Sequence, residues 1–337
     1  MDRSVVVGID TSCDETSVGI VNLQGGMLSN IVSSQASVFS RYGGVVPEMA
    51  AREHMSRIRG VYRAALDAGR VCADQVAGIA VTRGPGLSGC LGIGIAFAKG
   101  LGVGLHVPVV GVDHVEGHIY AAFLANPDLV PPFGYLVASG GHTQIGVFER
   151  EGRIRKLGET RDDAAGEALD KGAKMLGFPY PGGPALDRVG MAAQRPLNMS
   201  FPRPRIPGRP LAFSFSGLKT ALAFYLERKR GDAPLPDLVL QTAGAAYLDA
   251  VLESLVKRVF RLTEQASLST FVVCGGVAAS RRLRRMLQEQ ASFKGSTVRM
   301  LFPPPELCTD NGAMIARAGL LLLKEGVDET DTLDIPR

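Results

Sequence analysis

Tryptophan is absent from the 337 residues, and no two cysteines have the CxxC spacing of a zinc ribbon or a redox motif. The five cysteines, at 13, 72, 90, 274 and 308, are scattered and odd in number. That excludes a disulfide framework and makes a reducing, cytoplasmic setting the expectation. Long apolar runs are missing too, since none reaches the ~18 residues that a membrane span needs. The nearest, 91-LGIGIAFAKGLGVGL-105, carries Lys99 and several glycines and reads as a closely packed core element. No signal or transit segment is expected ahead of the strand-like opening MDRSVVVGID. Charge of one sign is barely in excess: 37 Lys and Arg stand against 33 Asp and Glu, a net +4. Such a balance permits a nucleic-acid partner without requiring one. There is no G-X-Y period, so the 41 glycines do not indicate collagen and must serve tight turns and close backbone approach.

What is present is an ordinary globular composition, 46% hydrophobic and 21% charged, on a chain long enough for two cores. Apolar β-branched runs recur, each ending in a small-residue turn. Val5–Ile9, the polar turn 10–16 and Ser17–Val21 read as strand, turn, strand. Tyr135–Ala138, Ser139-Gly140-Gly141-His142 and Thr143–Phe148 repeat that pattern. Strands are also expected over Ala77–Val81, Val107–Val112, Thr270–Cys274 and Val298–Phe302, with a helix over 114–125 and another starting near Asp310. Two strand–turn–strand openings imply an internal duplication, hence two α/β domains.

Two of the five histidines, His114 and His118, fall at i and i+4 of the expected helix. They share one face about 5–6 Å apart at Cβ, a spacing that suits two imidazoles on one metal or a merely structural pair. The order HVEGH also invites comparison with the metalloprotease pattern H-E-x-x-H. Glu116, however, stands two residues past His114, about 200° around the helix, and is badly placed to activate a metal-bound water. Asp310 is a candidate third ligand, or else an N-cap or first-turn acid. A His2Asp set leaves coordination positions open.

The turns at Ser139-Gly140-Gly141, Gly182-Gly183 and Gly275-Gly276 offer backbone N–H groups to a phosphate, or are simply turns. Asp163, Glu167 and Asp170 have helical spacing, giving either a solvated acidic face or, through Asp170, a hold on ribose hydroxyls. Cys13, Cys90 and Cys308 have no histidine beside them in sequence and make poor candidate nucleophiles. The segment 195-RPLNMSFPRPRIPGRP-210 holds five Pro and four Arg and no acid, reading as an exposed basic loop or a phosphate-backbone contact for RNA.

Eleven segments run in order along nearly the whole chain: DTSCDET (10–16), YGGVVPE (42–48), GPGL (84–87), HVEGH (114–118), SGGHTQ (139–144), DDAAGEALDK (162–171), YPGGP (180–184), FPRP (201–204), FSFSGLKT (213–220), CGGV (274–277) and CTDNGAMIA (308–316). Together they resemble the bacterial tRNA N6-adenosine threonylcarbamoyltransferase family, formerly regarded as sialoglycoprotein endopeptidases. The resemblance implies an α/β, actin-like ATPase fold of two duplicated domains around a nucleotide cleft. These would be 1–132, completed by a returning helix over 310–325, and 133–309 with the loop 195–210. It implies transfer of threonylcarbamoyl from threonylcarbamoyl-AMP to N6 of adenosine 37 in tRNAs reading codons that begin with A; a metal-dependent peptidase is the alternative.

By the same resemblance, His114, His118 and Asp310 hold one divalent ion, with Fe(II) preferred to Zn(II) or Mn(II). Val137, Ala138, Ser139, Gly140, Gly141, Asp170, Gly183, Asp187 and Ser280 contact the substrate, and Asp14 and Glu15 are the catalytic acids of the first turn. Val137-Ala138 departs from the family's usual Leu-Val, and Ser280 stands where Asn is common, so the contact of Ser280 to the adenylate is expected to be weaker, water-mediated or absent. Expected partners are tRNA, a shorter paralogue of the same fold and a P-loop ATPase, with no membrane.

Overall fold

The β-branched runs build two five-stranded sheets of the same strand order. The computed structural model describes residues 3–194, 198–229 and 234–335. In chain order the first elements are β1 (Val5–Asp10), β2 (Glu15–Asn22), β3 (Met27–Ser34), α1 (Ala36–Phe39), α2 (Pro47–Gly69), β4 (Val76–Gly84), α3 (Ser88–Leu105), β5 (Val109–Asp113) and α4 (His114–Ala125). There follow β6 (Phe133–Ala138), β7 (Thr143–Arg150), β8 (Arg153–Glu159), α5 (Ala165–Met175), α6 (Gly182–Ala192), α7 (Ser216–Lys229), α8 (Asp237–Gln265), β9 (Thr270–Cys274), α9 (Arg281–Phe293) and β10 (Arg299–Leu301). The chain ends with α10 (Pro305–Cys308) and α11 (Gly312–Lys324).

Two units result, Met1–Leu129 with Glu306–Arg337, and Val130–Pro305. The boundaries expected at 132/133 and 309/310 thus fall at 129/130 and 305/306. The first sheet has the order β3-β2-β1-β4-β5 and the second β10-β9-β6-β7-β8. In each, three strands form an antiparallel meander whose first strand pairs in parallel with the next pair, which is the duplication read from the two hairpins. Together this is the actin-like duplicated α/β fold.

In the first unit, all six residues of β1 are buried, as a central strand covered on both faces requires. Alternation sends Val5, Val7 and Ile9 into a core with Ile58 and Val61 of α2 and Ile95 and Ala98 of α3. Gly8 faces the other way, onto α11. A Cβ built there would stand 2.1 Å from the Gly312 carbonyl oxygen, and one on Gly19 of β2 would stand 2.1 Å from the Ala313 nitrogen. Glycine at these points is what lets α11 lie directly on the sheet. Asp10, two residues beyond Gly8, emerges on that same face.

Helix α3 is long and apolar enough to cross a membrane by length and composition. Here it packs into the first unit through Cys90, Leu91, Gly94, Ile95, Ala98 and Gly102.

Three local expectations need correction. Helix α11 begins at Gly312 and is capped by Asn311, whose Oδ1 accepts from Met314 N at 3.0 Å. Asp310 therefore precedes the cap and is neither cap nor first-turn residue, leaving its carboxylate for other work. Asp163 precedes α5 and shares no helical face with Glu167 and Asp170. Glu15 is the first residue of β2 and not part of the turn. Residues 195–197 of the Pro/Arg-rich segment lie outside the described residues.

Candidate functional site

Asp113 ends β5 and caps α4, its Oδ1 accepting from Val115 N at 2.9 Å and Glu116 N at 3.1 Å. The cap starts the helix at His114, so the i, i+4 spacing places His118 one turn on. The two rings lie edge to face with centroids 4.9 Å apart. Both histidines are buried, whereas Glu116 is exposed, so no carboxylate on α4 joins them as H-E-x-x-H would require.

The chain entering α11 supplies the third group. Asp310 Oδ1 stands 3.4 Å from His114 Nε2 and 3.2 Å from His118 Nε2. One ligand atom from each of the three residues lies within 4.8 Å of the others. His118 is fully buried; its Nδ1 has no hydrogen-bond partner, and its Nε2 meets only the Asp310 carboxylate. Two imidazoles buried around one carboxylate are costly and need a reason; a divalent ion supplies one. The donor set, two imidazoles and a carboxylate, suits Fe(II), Zn(II) or Mn(II).

The electrostatics agree. Burial works against a charge on His114, yet the carboxylates of Asp310 and Asp10 outweigh it and hold the imidazolium well above its ordinary range. Burial likewise opposes charge on Asp310, but His114 and His118 keep its carboxyl below the usual carboxylate range.

Two residues of this site were not singled out from the sequence. His114 Nδ1 faces Ser12 Oγ at 3.2 Å and Asp10 Oδ2 at 3.5 Å. Asp10 Oδ1 in turn accepts from Ser12 N at 3.1 Å. A carboxylate at Nδ1 orients the ring and leaves Nε2 to bind a metal. The available signal was the alternation of β1, which puts Asp10 on the face that Gly8 opens to α11.

A third overlooked residue is His54 of α2, buried behind the first turn. Its Nε2 is 3.0 Å from Cys13 O, and its Nδ1 is 2.8 Å from Thr16 Oγ1. A carbonyl only accepts, so Nε2 carries the proton and Nδ1 accepts from Thr16. Burial holds this imidazole below its ordinary range, hence neutral. It ties down the turn bearing Asp14, just ahead of Glu15 at the start of β2. Burial, then the charges of Asp14 and Asp310, push the Glu15 carboxyl up to about 10. Its Oε1 accepts from Ser34 Oγ at 3.2 Å. Burial also raises Cys13, and raises Cys90 to about 11, so neither is a thiolate.

The remaining expected residues belong to the second unit, around the carboxyl ends of the parallel strands β6 and β9, where α/β sheets commonly bind ligands. Val137 and Ala138 are buried within β6, and only their main chain is placed for recognition. The Ser139–His142 turn closes through Ser139 N to His142 O at 2.8 Å, and Ser139 O accepts from Gly166 N of α5 at 3.0 Å. Gly140 and Gly141 are exposed, with open space at both. Gly275, at φ 85°, crosses so near that a Cβ would stand 2.5 Å from Ala138 O.

The two carboxylates expected at the substrate also hold helix ends. Asp170 Oδ1 accepts from Gly182 N at 2.7 Å and Gly183 N at 3.3 Å, at the start of α6. Asp187 accepts from Ser280 Oγ at 2.5 Å, Arg282 N at 3.1 Å and Arg281 N at 3.2 Å, at the start of α9. Ser280 is the N-cap of α9, and its Oγ accepts from Leu283 N at 3.1 Å. Its hydroxyl is thus engaged on both sides.

Fold and site define an actin-like α/β protein with a buried two-histidine, one-aspartate cluster able to hold a metal. Solved structures agree on the fold. HypF from T. kodakarensis aligns with a TM-score of 0.62 at 14% identity, over 98% of this chain and 49% of that one. Component A of (R)-2-hydroxyglutaryl-CoA dehydratase from Acidaminococcus fermentans aligns at 0.55 and 14% identity, over 96% and 98%. The sequence goes further, because the profile of the tRNA N6-adenosine threonylcarbamoyltransferase family matches residues 26–317. The Thermosipho africanus enzyme of that name is 44% identical over 98% of both chains, and that of Desulfitobacterium hafniense 44% identical over 93% of this chain and 91% of its own. The chain belongs to the tRNA N6-adenosine threonylcarbamoyltransferase family.

Proposed function

We propose that this protein transfers the threonylcarbamoyl group of threonylcarbamoyl-AMP to N6 of adenosine 37, in tRNAs reading codons that begin with A. The observation carrying this reading is the family match over residues 26–317, together with the convergence of His114, His118 and Asp310 on one point. Those three residues would hold one divalent ion, Fe(II) before Zn(II) or Mn(II). When bound, that ion supplies Lewis-acid charge to the substrate's oxygens and offsets negative charge as AMP leaves.

The substrate is a mixed anhydride and carries its own activation. The C–N6 bond forms, the anhydride C–O bond breaks with its electron pair leaving on the AMP phosphate, and N6 gives up a proton. N6 is a weak nucleophile, so positioning must supply much of the rate. Gly140 and Gly141, open and exposed, are suited to present amide N–H groups to a developing oxyanion or a phosphate. The main chain of Val137 to Ser139, with Asp170, Gly183, Asp187 and Ser280, would line the nucleotide side. Because Ser280 already serves Asp187 and Leu283 N, its role is to fix α9 and Asp187 more than to reach the adenylate. Asp14 of the first turn and Glu15 at the start of β2 are the two candidate acceptors for the N6 proton. Adenosine 37 lies in a single-stranded loop, where a base can be splayed into a pocket.

The five cysteines, none of them in a disulfide, fit a cytoplasmic setting. A shorter paralogue of the same fold and a P-loop ATPase are the proposed protein partners.

The reading is tested by mixing the metal-loaded protein and these partners with threonylcarbamoyl-AMP and unmodified tRNA transcript. Nucleosides are then analysed by mass spectrometry. Modified adenosine is expected from the A37 transcript and none from an A37→G transcript. Equal product from both, or peptide cleavage in place of transfer, would overturn it.

A further inference from the structure

In the second unit, residues 203–210 and α8 enclose a cavity of about 790 Å³. Its lining includes Arg205, Arg209, Lys257, Arg258, Arg261 and Lys294. We propose that this cavity is a docking site for the phosphodiester backbone of tRNA, an inference that rests on tRNA being the substrate.

The charge balance of the cavity carries the argument. Arg203 is satisfied by Glu253, with Nη2 and Oε1 2.7 Å apart, and Lys294 pairs with Glu264. Glu264 is the one acid in the lining. Arg205, Arg209 and Arg261 are exposed and make no ion pair among the described residues. Arg258 is buried at the base, and its partners are neutral. Nε donates to Ala212 O at 2.6 Å, Nη1 to Ser254 O at 2.9 Å, and the guanidinium lies 5.0 Å from the Phe213 ring centroid. Four guanidinium groups therefore share one concavity with no carboxylate of their own. Cations so placed repel one another and are relieved by an anion.

Size and stiffness select the kind of anion. A second cavity of about 420 Å³ shares Gly208, Arg209 and Pro210 with the first and adds Arg161. A single phosphate fills a small part of such a track, whereas a polymer of phosphates follows it. Neither lining offers an unpaired carboxylate for ribose hydroxyls near Arg258, as a mononucleotide site commonly has. Pro204, Pro207 and Pro210 fix φ between the arginines, so less conformational freedom is lost when a ligand orders them.

The test compares the full-length protein with the triple variant Arg205→Gln/Arg209→Gln/Arg261→Gln. Affinity for unmodified tRNA is measured across a salt series. The slope of log K against log salt is expected to fall by about 2–3, at about 0.9 per lost phosphate contact. Affinity near 100 mM salt should drop at least tenfold, and KM for tRNA in the transfer assay should rise with kcat unchanged. The Arg→Lys triple variant should keep the slope. Metal content and melting temperature serve as fold controls. An unchanged salt slope and affinity in the Gln variant overturn the proposal. So does loss confined to binding of inorganic phosphate, with tRNA affinity intact. Wild-type product with an unaltered variant slope sinks this inference alone, whereas absent wild-type product is a failure of the transferase reading and is seen separately.

Discussion

Asp10 Oδ2 lies 3.5 Å from Nδ1 of His114, the ring nitrogen opposite the one that faces Asp310. The end of β1 thereby sets the orientation of a group at the start of α4. Replacing Asp10 with Asn keeps the size and removes the charge. Metal affinity, measured by chelator competition, should fall about 10–100-fold, the usual cost of losing such a partner. Wild-type affinity in Asp10→Asn would show that Ser12 alone orients the ring.

Metal binding should be pH-dependent with a definite sign. The imidazolium of His114 is held well above its ordinary 6.5, so in the metal-free protein the ion must displace a proton. Apparent affinity should therefore rise with pH through the neutral range, by about tenfold per unit where one proton is released, and level off once His114 is neutral. Calorimetry in buffers of different ionisation enthalpy reads the proton count. A flat affinity from pH 6 to 7.5 contradicts this.

Gly8 is where α11 meets the sheet. The Cβ of a Gly8→Ala variant would sit 2.1 Å from Gly312 O and 2.2 Å from Ala316 N, both backbone atoms that cannot yield cheaply. Unfolding by urea should show a loss of about 3 kcal/mol or more, the upper range for overpacking. Because α11 follows directly on Asp310, metal affinity should fall as well. A stable Gly8→Ala protein with full affinity would mean that α11 shifts freely.

Ser280→Ala removes both the cap of α9 and a donor to Asp187. A loss of about 1 kcal/mol is expected, and Ser280→Asn, an equally good cap, should stay close to wild type. The urea midpoint decides between them. Equal destabilisation by Ala and Asn would mean that the short contact to Asp187, and not the cap, dominates.

Much of this was legible in the sequence where pattern and chemistry coincide. The helix 114–125 and the strand Thr270–Cys274 stand where apolar periodicity and small-residue turns place them, and the two hairpins announce two sheets of one order. What escaped has physical causes. Strands β3 and β8 are polar edge strands, MLSNIVSS and RIRKLGE, with little burial to mark them. Helix α8 is buried all round from Ala243 to Leu252, so that stretch carries no single apolar face. Spacing alone left Asp310 open between third ligand and helix cap; Asn311 takes the cap, and Asp310 joins the two histidines. Asp10, Ser12 and His54 act through partners about forty or a hundred residues away, contacts that no local pattern contains. The departure at Ser280 was visible as a missing amide, yet its double engagement depends on Asp187, 93 positions away.

The central claim is that His114, His118 and Asp310 form the metal site on which threonylcarbamoyl transfer depends. The most direct test measures bound metal and modified adenosine in the same preparations of wild type and His118→Ala, with partners, threonylcarbamoyl-AMP and unmodified tRNA supplied. About one ion per chain with product in the wild type, and loss of both in a folded His118→Ala protein, is the predicted result. Full transfer by a His118→Ala protein that binds no metal would contradict the account.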